Sequence, residues 1–133
     1  MPRGDDRVRS QRRRSLRGPY HPAGGSGWTK AISTEVTRRL IEIVIESPNP
    51  ADIGQHWSRI LEKPFAPGGG GGRIAVDMTA IRFAKGEDSR EVLRTLAIEV
   101  ADRAGIEQRA SKRGYSVTAA GVEFCGVRFQ LVS

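Results

Sequence analysis

Few side chains in this chain of 133 residues have the chemistry of a catalytic or metal-binding group. The sequence contains two histidines, His21 and His56, and one cysteine, Cys125. A thiolate metal cluster needs several cysteines at fixed spacing, and a nucleophilic cysteine needs a base that accepts its proton. Cys125 precedes Gly126 in a stretch typical of a tight turn, and neither histidine lies near it in sequence. We therefore predict no disulfide, no thiolate cluster and no activated cysteine, in a reducing, cytoplasmic setting.

The two histidines do not form a metal-binding pattern either. His56 stands beside Trp57 in a helical stretch, off the apolar stripe of that helix, which consists of Ile53, Trp57, Ile60 and Leu61. His21 lies in a segment rich in glycine and proline, residues 18–27. We interpret His56 as a solvent-facing side chain and His21 as part of a linker.

Two glutamates in strand-like runs, Glu42 and Glu99, could act as an acid or a base. In residues 36–46 Ile41, Ile43 and Ile45 alternate with Glu42, Val44 and Glu46, which gives one apolar and one mixed face. Glu42 is therefore predicted to point away from the main core face. A carboxylate in a cleft can transfer protons, but a carboxylate on a sheet more often forms an ion pair. The sequence favours the ion pair and leaves acid or base chemistry open.

The elements that position these side chains follow one pattern that occurs twice in the chain. Each copy is a strand, a helix and further short strands, with the first strands at about residues 36–46 and 92–100. The helices are predicted at residues 51–62 and 102–113, where Gly114 is a natural stop. The shorter strands are predicted at residues 73–77, 80–85, 115–118, 122–124 and 127–132, with tight turns at Asp77-Met78-Thr79 and Cys125-Gly126. The five glycines from Gly68 to Gly72 are predicted to form a mobile loop.

This repetition predicts an α+β fold of two tandem βαβββ modules, over about residues 36–86 and 92–133. Their curled mixed and antiparallel sheets are expected to form a shared cleft. A chain of this length is sufficient for one core. The longest apolar run, residues 40–45, is interrupted by Glu42 and is too short to cross a bilayer, so we expect no membrane partner.

The basic character of the protein is concentrated at its N-terminus. The formal charge is +7, and residues 1–17 carry seven arginines and two aspartates, so they contribute +5 and the remaining residues +2. With few apolar residues, this stretch is predicted to belong to a flexible basic arm and linker over residues 1–35, ahead of a domain over residues 36–133. We expect no nucleic-acid partner for the domain; a polyanion tether through the arm stays an alternative.

Four stretches resemble a known family: Ile-Glu-Ser-Pro-Asn-Pro (residues 45–50), His-Trp-Ser-Arg-Ile-Leu-Glu-Lys-Pro (56–64), Ala-Ile-Arg-Phe (80–83) and Val-Glu-Phe-Cys-Gly-Val-Arg-Phe-Gln-Leu-Val (122–132). They resemble the vicinal oxygen chelate superfamily of glyoxalases, bleomycin-resistance proteins and extradiol dioxygenases, in particular its glyoxalase-like domains. The resemblance covers about residues 36–133. The segment around Trp28 resembles the connector between two such domains in longer relatives, which implies that this chain could be part of a larger architecture.

In metal-dependent members of this superfamily, histidine and glutamate ligands come from the first and last strands of each module. The resemblance assigns these positions to Glu42 and Arg82 in the first module and to Thr95 and Gln130 in the second. None of the four is a histidine. A guanidinium about 4 Å from a divalent ion costs on the order of 8 kcal/mol at an effective dielectric constant near 20. We therefore expect no metal or other cofactor at these positions.

The resemblance thus implies a glyoxalase-like domain whose cleft binds a small anionic or oxygenated organic ligand. Arg82 would be the anion fork, and Glu42, Thr95 and Gln130 would supply polar contacts. Two alternatives stay open. One is a metal-dependent lyase, isomerase or dioxygenase whose site is completed by another subunit, in line with the homodimers of this superfamily. The other is the polyanion tether.

Overall fold

The structure is a computed structural model and describes residues 30–133. Residues 1–29 lie outside the described residues. They include His21, Trp28 and most of the predicted basic arm, so the structure does not test the alternative of a polyanion tether. Residues 34–133 form one compact unit. Its elements, in chain order, are β1 (Thr37–Ser47), α1 (Pro50–Leu61), β2 (Phe65–Gly68), β3 (Gly71–Val76), β4 (Thr79–Lys85), β5 (Val92–Val100), α2 (Arg103–Lys112), β6 (Val117–Thr118), β7 (Gly121–Phe124) and β8 (Val127–Val132).

The eight strands form one sheet that curls without closing, in the order β2-β3-β4-β1-β5-β8-β7-β6. The pairs β1·β4 and β5·β8 are parallel, and the other neighbours are antiparallel. Each half of the sheet is therefore one βαβββ module, and β1 and β5 join the halves along the middle. The predicted fold class, α+β with two βαβββ modules, is confirmed. Neither helix of the described residues is long and apolar enough to span a membrane.

The first helix begins and ends where the local sequence dictates. Pro50 occupies the start of α1, where its missing N–H removes no helical hydrogen bond. Asn49, just before it, donates its backbone N–H to Ser47 Oγ at 3.0 Å. The helix ends at Glu62, which adopts a left-handed conformation with φ 54°. The predicted apolar stripe is wrong at its C-terminal end, because Ile60 is 67% exposed while Ile53 and Trp57 pack on the core.

The glycine run does not form a mobile loop, so this prediction is wrong. Phe65–Gly68 pairs with Gly71–Val76 as a hairpin, and β2 supplies the third short strand that the first module needs. Gly69 and Gly70 form its turn with φ values of +58° and +80°. Two consecutive positive φ angles are what a two-residue hairpin turn requires, and glycine adopts them without steric strain.

The helix-bearing side of the sheet carries two hydrophobic clusters. The first contains Ile45, Ile74, Ile81 and Phe83, and it is covered by Trp57 of α1 and by Phe65. The rings of Trp57 and Phe65 contact Phe83 edge to face at centroid distances of 6.0 and 6.3 Å. Aromatic pairs at such distances stabilise a core beyond the area that they bury.

The second cluster contains Val100, Val122 and Leu131, beneath α2. This helix begins at Asp102, whose side chain accepts a hydrogen bond from Gly105 N at 3.0 Å, and Gly114 follows it with φ +83°. The predicted glycine stop is confirmed. Only Ile106 and Ala110 of α2 pack on the cluster, and no residue of α2 is fully buried. The second module is therefore covered less completely than the first.

Candidate functional site

The side of the sheet opposite the helices carries the polar residues of the central strands. Because Ile43 and Ile45 point towards the helix-bearing side, strand alternation places Glu42, Val44 and Glu46 on the other side. We call this side the open face and define it by these residues and by their neighbours in register. The sequence-based prediction that Glu42 points away from the core is confirmed.

All four site residues predicted from the resemblance lie on the open face, one on each of the four central strands. Arg82, Val44 and Thr95 are neighbours in one transverse row. Ala80, Glu42, Ala97 and Gln130 form the next row. Neighbouring strands lie about 4.8 Å apart, so the Cα atoms of Arg82 and Thr95 are separated by roughly 10 Å, as are those of Glu42 and Gln130.

The two modules place these residues at equivalent positions. Val44 is the partner of Arg82 in the β1·β4 register, and Ala97 is the partner of Gln130 in the β5·β8 register. In the same way, Glu42 corresponds to Thr95. The backbone of the site is therefore duplicated, while its side chains differ between the modules.

The floor between these polar side chains is apolar and covered. Ala80, Val44 and Ala97 are 1%, 4% and 5% exposed. Thr95 is also buried, whereas Gln130 is exposed. Ala80, Val44 and Ala97 therefore form a covered layer with almost no accessible surface.

Glu42 and Arg82 form an ion pair, with Arg82 Nε donating to Glu42 Oε1 at 3.0 Å. The Glu42 side chain is 23% exposed and that of Arg82 is 49% exposed. Among the described residues, this is the only hydrogen bond of the Arg82 side chain, and the two terminal Nη groups have no partner. The outer edge of the guanidinium is therefore available for a second anion.

The open face carries further ion pairs, and one of them contains Glu99, for which the sequence favoured an ion pair. Arg39 pairs with Glu99, Arg128 with Glu123, and Arg94 with both Glu46 and Asp88, at distances from 2.9 to 3.3 Å. The hydrogen bond and the negative charge of Glu46 raise the pKa of Arg94, which therefore stays a cation. Alternation along residues 127–132 places Arg128 on the same face as Gln130, so this residue could have been found from the sequence.

Arg73 is a further cation beside Arg82 on this face. It lies on β3 directly opposite Arg82 in the strand register, and it is exposed. Like charges at directly opposite positions destabilise a strand pair. Within residues 30–133, no carboxylate lies within 4.0 Å of Arg73, so this corner of the open face has a local excess of positive charge.

Two depressions lie on the open face. One of about 370 Å³ includes Arg73, Arg82 and Ala84 in its lining, together with residues of the β2–β3 hairpin. The other, of about 460 Å³, is lined by charged residues of both modules, among them Glu46, Arg94 and Arg128. The first depression contains the unbalanced positive charge, and in the second each arginine already has a carboxylate partner.

The four predicted positions do not suit a divalent cation. Arg82 has no lone pair to offer, and Glu42, the one carboxylate, already accepts a hydrogen bond from it. Thr95 and Gln130 supply only neutral oxygens. No group of three or more metal-ligating His, Cys, Asp or Glu side chains occurs within residues 30–133. The expected absence of a metal stays a prediction, which an experiment described below tests.

The sequence matches no family model and no curated protein. Among solved structures, the fold is similar to that of methylmalonyl-CoA epimerase from Mycobacterium tuberculosis, with a TM-score of 0.56 and 13% sequence identity. The similarity covers 76% of this chain and 91% of that one. The chain therefore has a glyoxalase-like fold of the vicinal oxygen chelate type, and the fold implied by the resemblance is confirmed.

Proposed function

We propose that this protein is a glyoxalase-like domain that binds a small organic anion on the open face. The observation that carries the proposal is the exposed Arg82 guanidinium, which within residues 30–133 is held through Nε alone. It lies opposite Arg73, which has no carboxylate partner among the same residues. A carboxylate or phosphate group on the outer edge of Arg82 would make two parallel hydrogen bonds and offset the repulsion between the two arginines.

The other predicted residues have distinct roles in this proposal. Glu42 holds Arg82 in place through its hydrogen bond to Nε. Thr95 and Gln130 offer a hydroxyl and an amide to oxygen atoms on the body of the ligand. Methylmalonyl-CoA, the compound in the name of the structurally similar epimerase, is itself an anionic organic molecule, which is consistent with this ligand class.

Isothermal titration of the full chain with a panel of small mono- and dicarboxylic acids tests the proposal. We expect Arg82→Ala to weaken binding of the best acid at least about tenfold, because hydrogen bonds to charged groups contribute roughly 1.5–3 kcal/mol. Arg39→Ala is the matched control, because Arg39 is also an exposed arginine paired with a glutamate on the same face. Equal affinities of the wild type and Arg82→Ala for every acid that binds would refute the role of Arg82.

A homodimer and a cytoplasmic location are parts of the same proposal. The resemblance to the superfamily supports the homodimer. The presence of a single cysteine, which cannot form a disulfide within the chain, supports the reducing, cytoplasmic location. Sedimentation of the purified chain tests the first, and fractionation of cells that produce it tests the second.

A further inference from the structure

An apolar groove lies on the helix-bearing side of the second module, between α2 and the strands β5, β7 and β8. Its volume is about 400 Å³, within the range of small-molecule pockets. Helix and sheet both contribute to its apolar walls, mainly through Ile98, Ile106, Tyr115, Val122 and Phe124. Arg109 and Arg113 also belong to the lining. The groove and the open face therefore lie on opposite sides of the sheet.

The groove exists because α2 presents few apolar side chains to the sheet. Where α1 places Trp57 on the first cluster, α2 offers only Ile106 and Ala110 to the second. Tyr115 and Phe124 consequently stay 42% and 44% exposed, although their rings contact each other at 5.2 Å. Half-exposed aromatic rings around an unfilled space are a favourable surface for an apolar ligand.

The charge at the groove specifies the ligand further. Arg109 and Arg113 lie one helical turn apart, a spacing at which like charges repel. Among the described residues neither has a carboxylate within 4.0 Å. Their position at the end of α2 lets them offset the helix dipole, but this does not account for their place in the lining of an apolar groove. An anionic head group next to an apolar body would complement both features.

We propose that this groove binds an amphipathic carboxylate, a medium-chain acyl or aryl acid. Its apolar part lies against Ile106, Tyr115 and Phe124, and its carboxylate accepts hydrogen bonds from Arg109 and Arg113. No bond forms or breaks in this step, which makes the groove a binding site. The proposal does not depend on the function proposed for the open face.

Titration of the full chain with hexanoate, octanoate and decanoate, followed by NMR and calorimetry, tests the proposal. The affinity is expected to rise about fourfold for each methylene group added, as the transfer free energy of a buried methylene implies. Amide shifts are expected in α2, β7 and β8. 1-Decanol is expected to bind at least about tenfold more weakly than decanoate, because it lacks the charge.

Variants separate this site from the open face. Arg109→Gln together with Arg113→Gln is expected to reduce the affinity for decanoate at least about tenfold and to leave that for 1-decanol unchanged. Lys112→Gln is the matched control on the same helix, since Lys112 is outside the groove lining. Arg39→Ala, on the open face but outside the ligand contacts proposed there, is expected to leave the decanoate affinity unchanged. All of these side chains are exposed, so the variants should fold.

Three results would overturn the proposal. One is the absence of decanoate binding, including the case in which sedimentation and NMR show the groove covered by a second copy of the chain. Another is an affinity that is independent of chain length. The third is an unchanged decanoate affinity in the double arginine variant.

Discussion

Arg82 contacts Glu42 diagonally across two parallel strands. Its partner in the strand register is Val44, yet its Nε atom donates at 3.0 Å to Oε1 of Glu42, which lies two residues earlier in β1. The arginine side chain therefore leans along the sheet towards the row of Ala80, the register partner of Glu42. Ala80 itself is 1% exposed. The outer edge of the guanidinium is left for a ligand.

Glu42→Gln is expected to increase the affinity for small acids about fivefold. The substitution removes a carboxylate that competes for Arg82, and a charge about 4 Å away in water contributes on the order of 1 kcal/mol. Because exposed ion pairs contribute about 0–1 kcal/mol, the stability of the fold should change little. Calorimetric titration with the best-binding acid measures the effect, and Glu99→Gln, which releases Arg39 instead, is the control. A loss of affinity in Glu42→Gln would contradict this prediction.

The purified full chain is expected to retain less than about a tenth of an equivalent of any transition metal, because no suitable ligand set is formed by Glu42, Thr95 and Gln130 beside a guanidinium. Elemental analysis after dialysis against zinc, manganese or ferrous iron measures the content. Arg82→His tests the physical reason, since an imidazole at this position removes the repulsion and adds a ligand. Stoichiometric metal in the wild type would show that the site has other ligands.

Phe83→Ala is expected to lower the free energy of unfolding by about 3–5 kcal/mol, because Phe83 is 2% exposed and its ring contacts Trp57 and Phe65. Ile60→Ala, on the exposed side of α1, is expected to change it by no more than about 0.5 kcal/mol. Urea denaturation followed by circular dichroism gives both values. Similar losses in the two variants would mean that α1 packs differently from the structure.

Gly71→Ala is expected to destabilise the protein by roughly 2–3 kcal/mol, because a Cβ atom at this position would overlap the backbone carbonyl of Phe83. Gly68→Ala, in the same hairpin, meets no atom within 4 Å and should be close to neutral. The pair of variants distinguishes a packed β2–β3 hairpin from the mobile loop expected from the sequence. Thermal and urea unfolding of both proteins provides the comparison, and a neutral Gly71→Ala would argue for the loop.

The parts of the fold that local sequence patterns determine could be predicted. Alternation placed Glu42 away from the core, and turn residues located the break at Cys125-Gly126 between β7 and β8. Strand β2 was missed because two of its four residues are Pro67 and Gly68, which are rare within strands. It forms because Gly69 and Gly70 close a tight turn onto β3.

The candidate site was predictable only in part, for a different reason. The four positions came from the resemblance, and whether they form a site depends on a register between β1 and β5 that no local pattern specifies. Arg73 was missed because its position opposite Arg82 follows from a hairpin register. The groove of the second module was missed because no sequence motif marks it. It forms because α2 has no apolar side chain as large as Trp57 of α1 to fill the space above the sheet.

The duplicated backbone with different side chains has a consequence for recognition. If both modules carried the same residues, a molecule could enter in either of two directions with equal free energy. Here one half offers Arg82 and the other offers the neutral Gln130 at the equivalent place. Under the proposed function, a compound with one charged end would therefore bind in a single orientation.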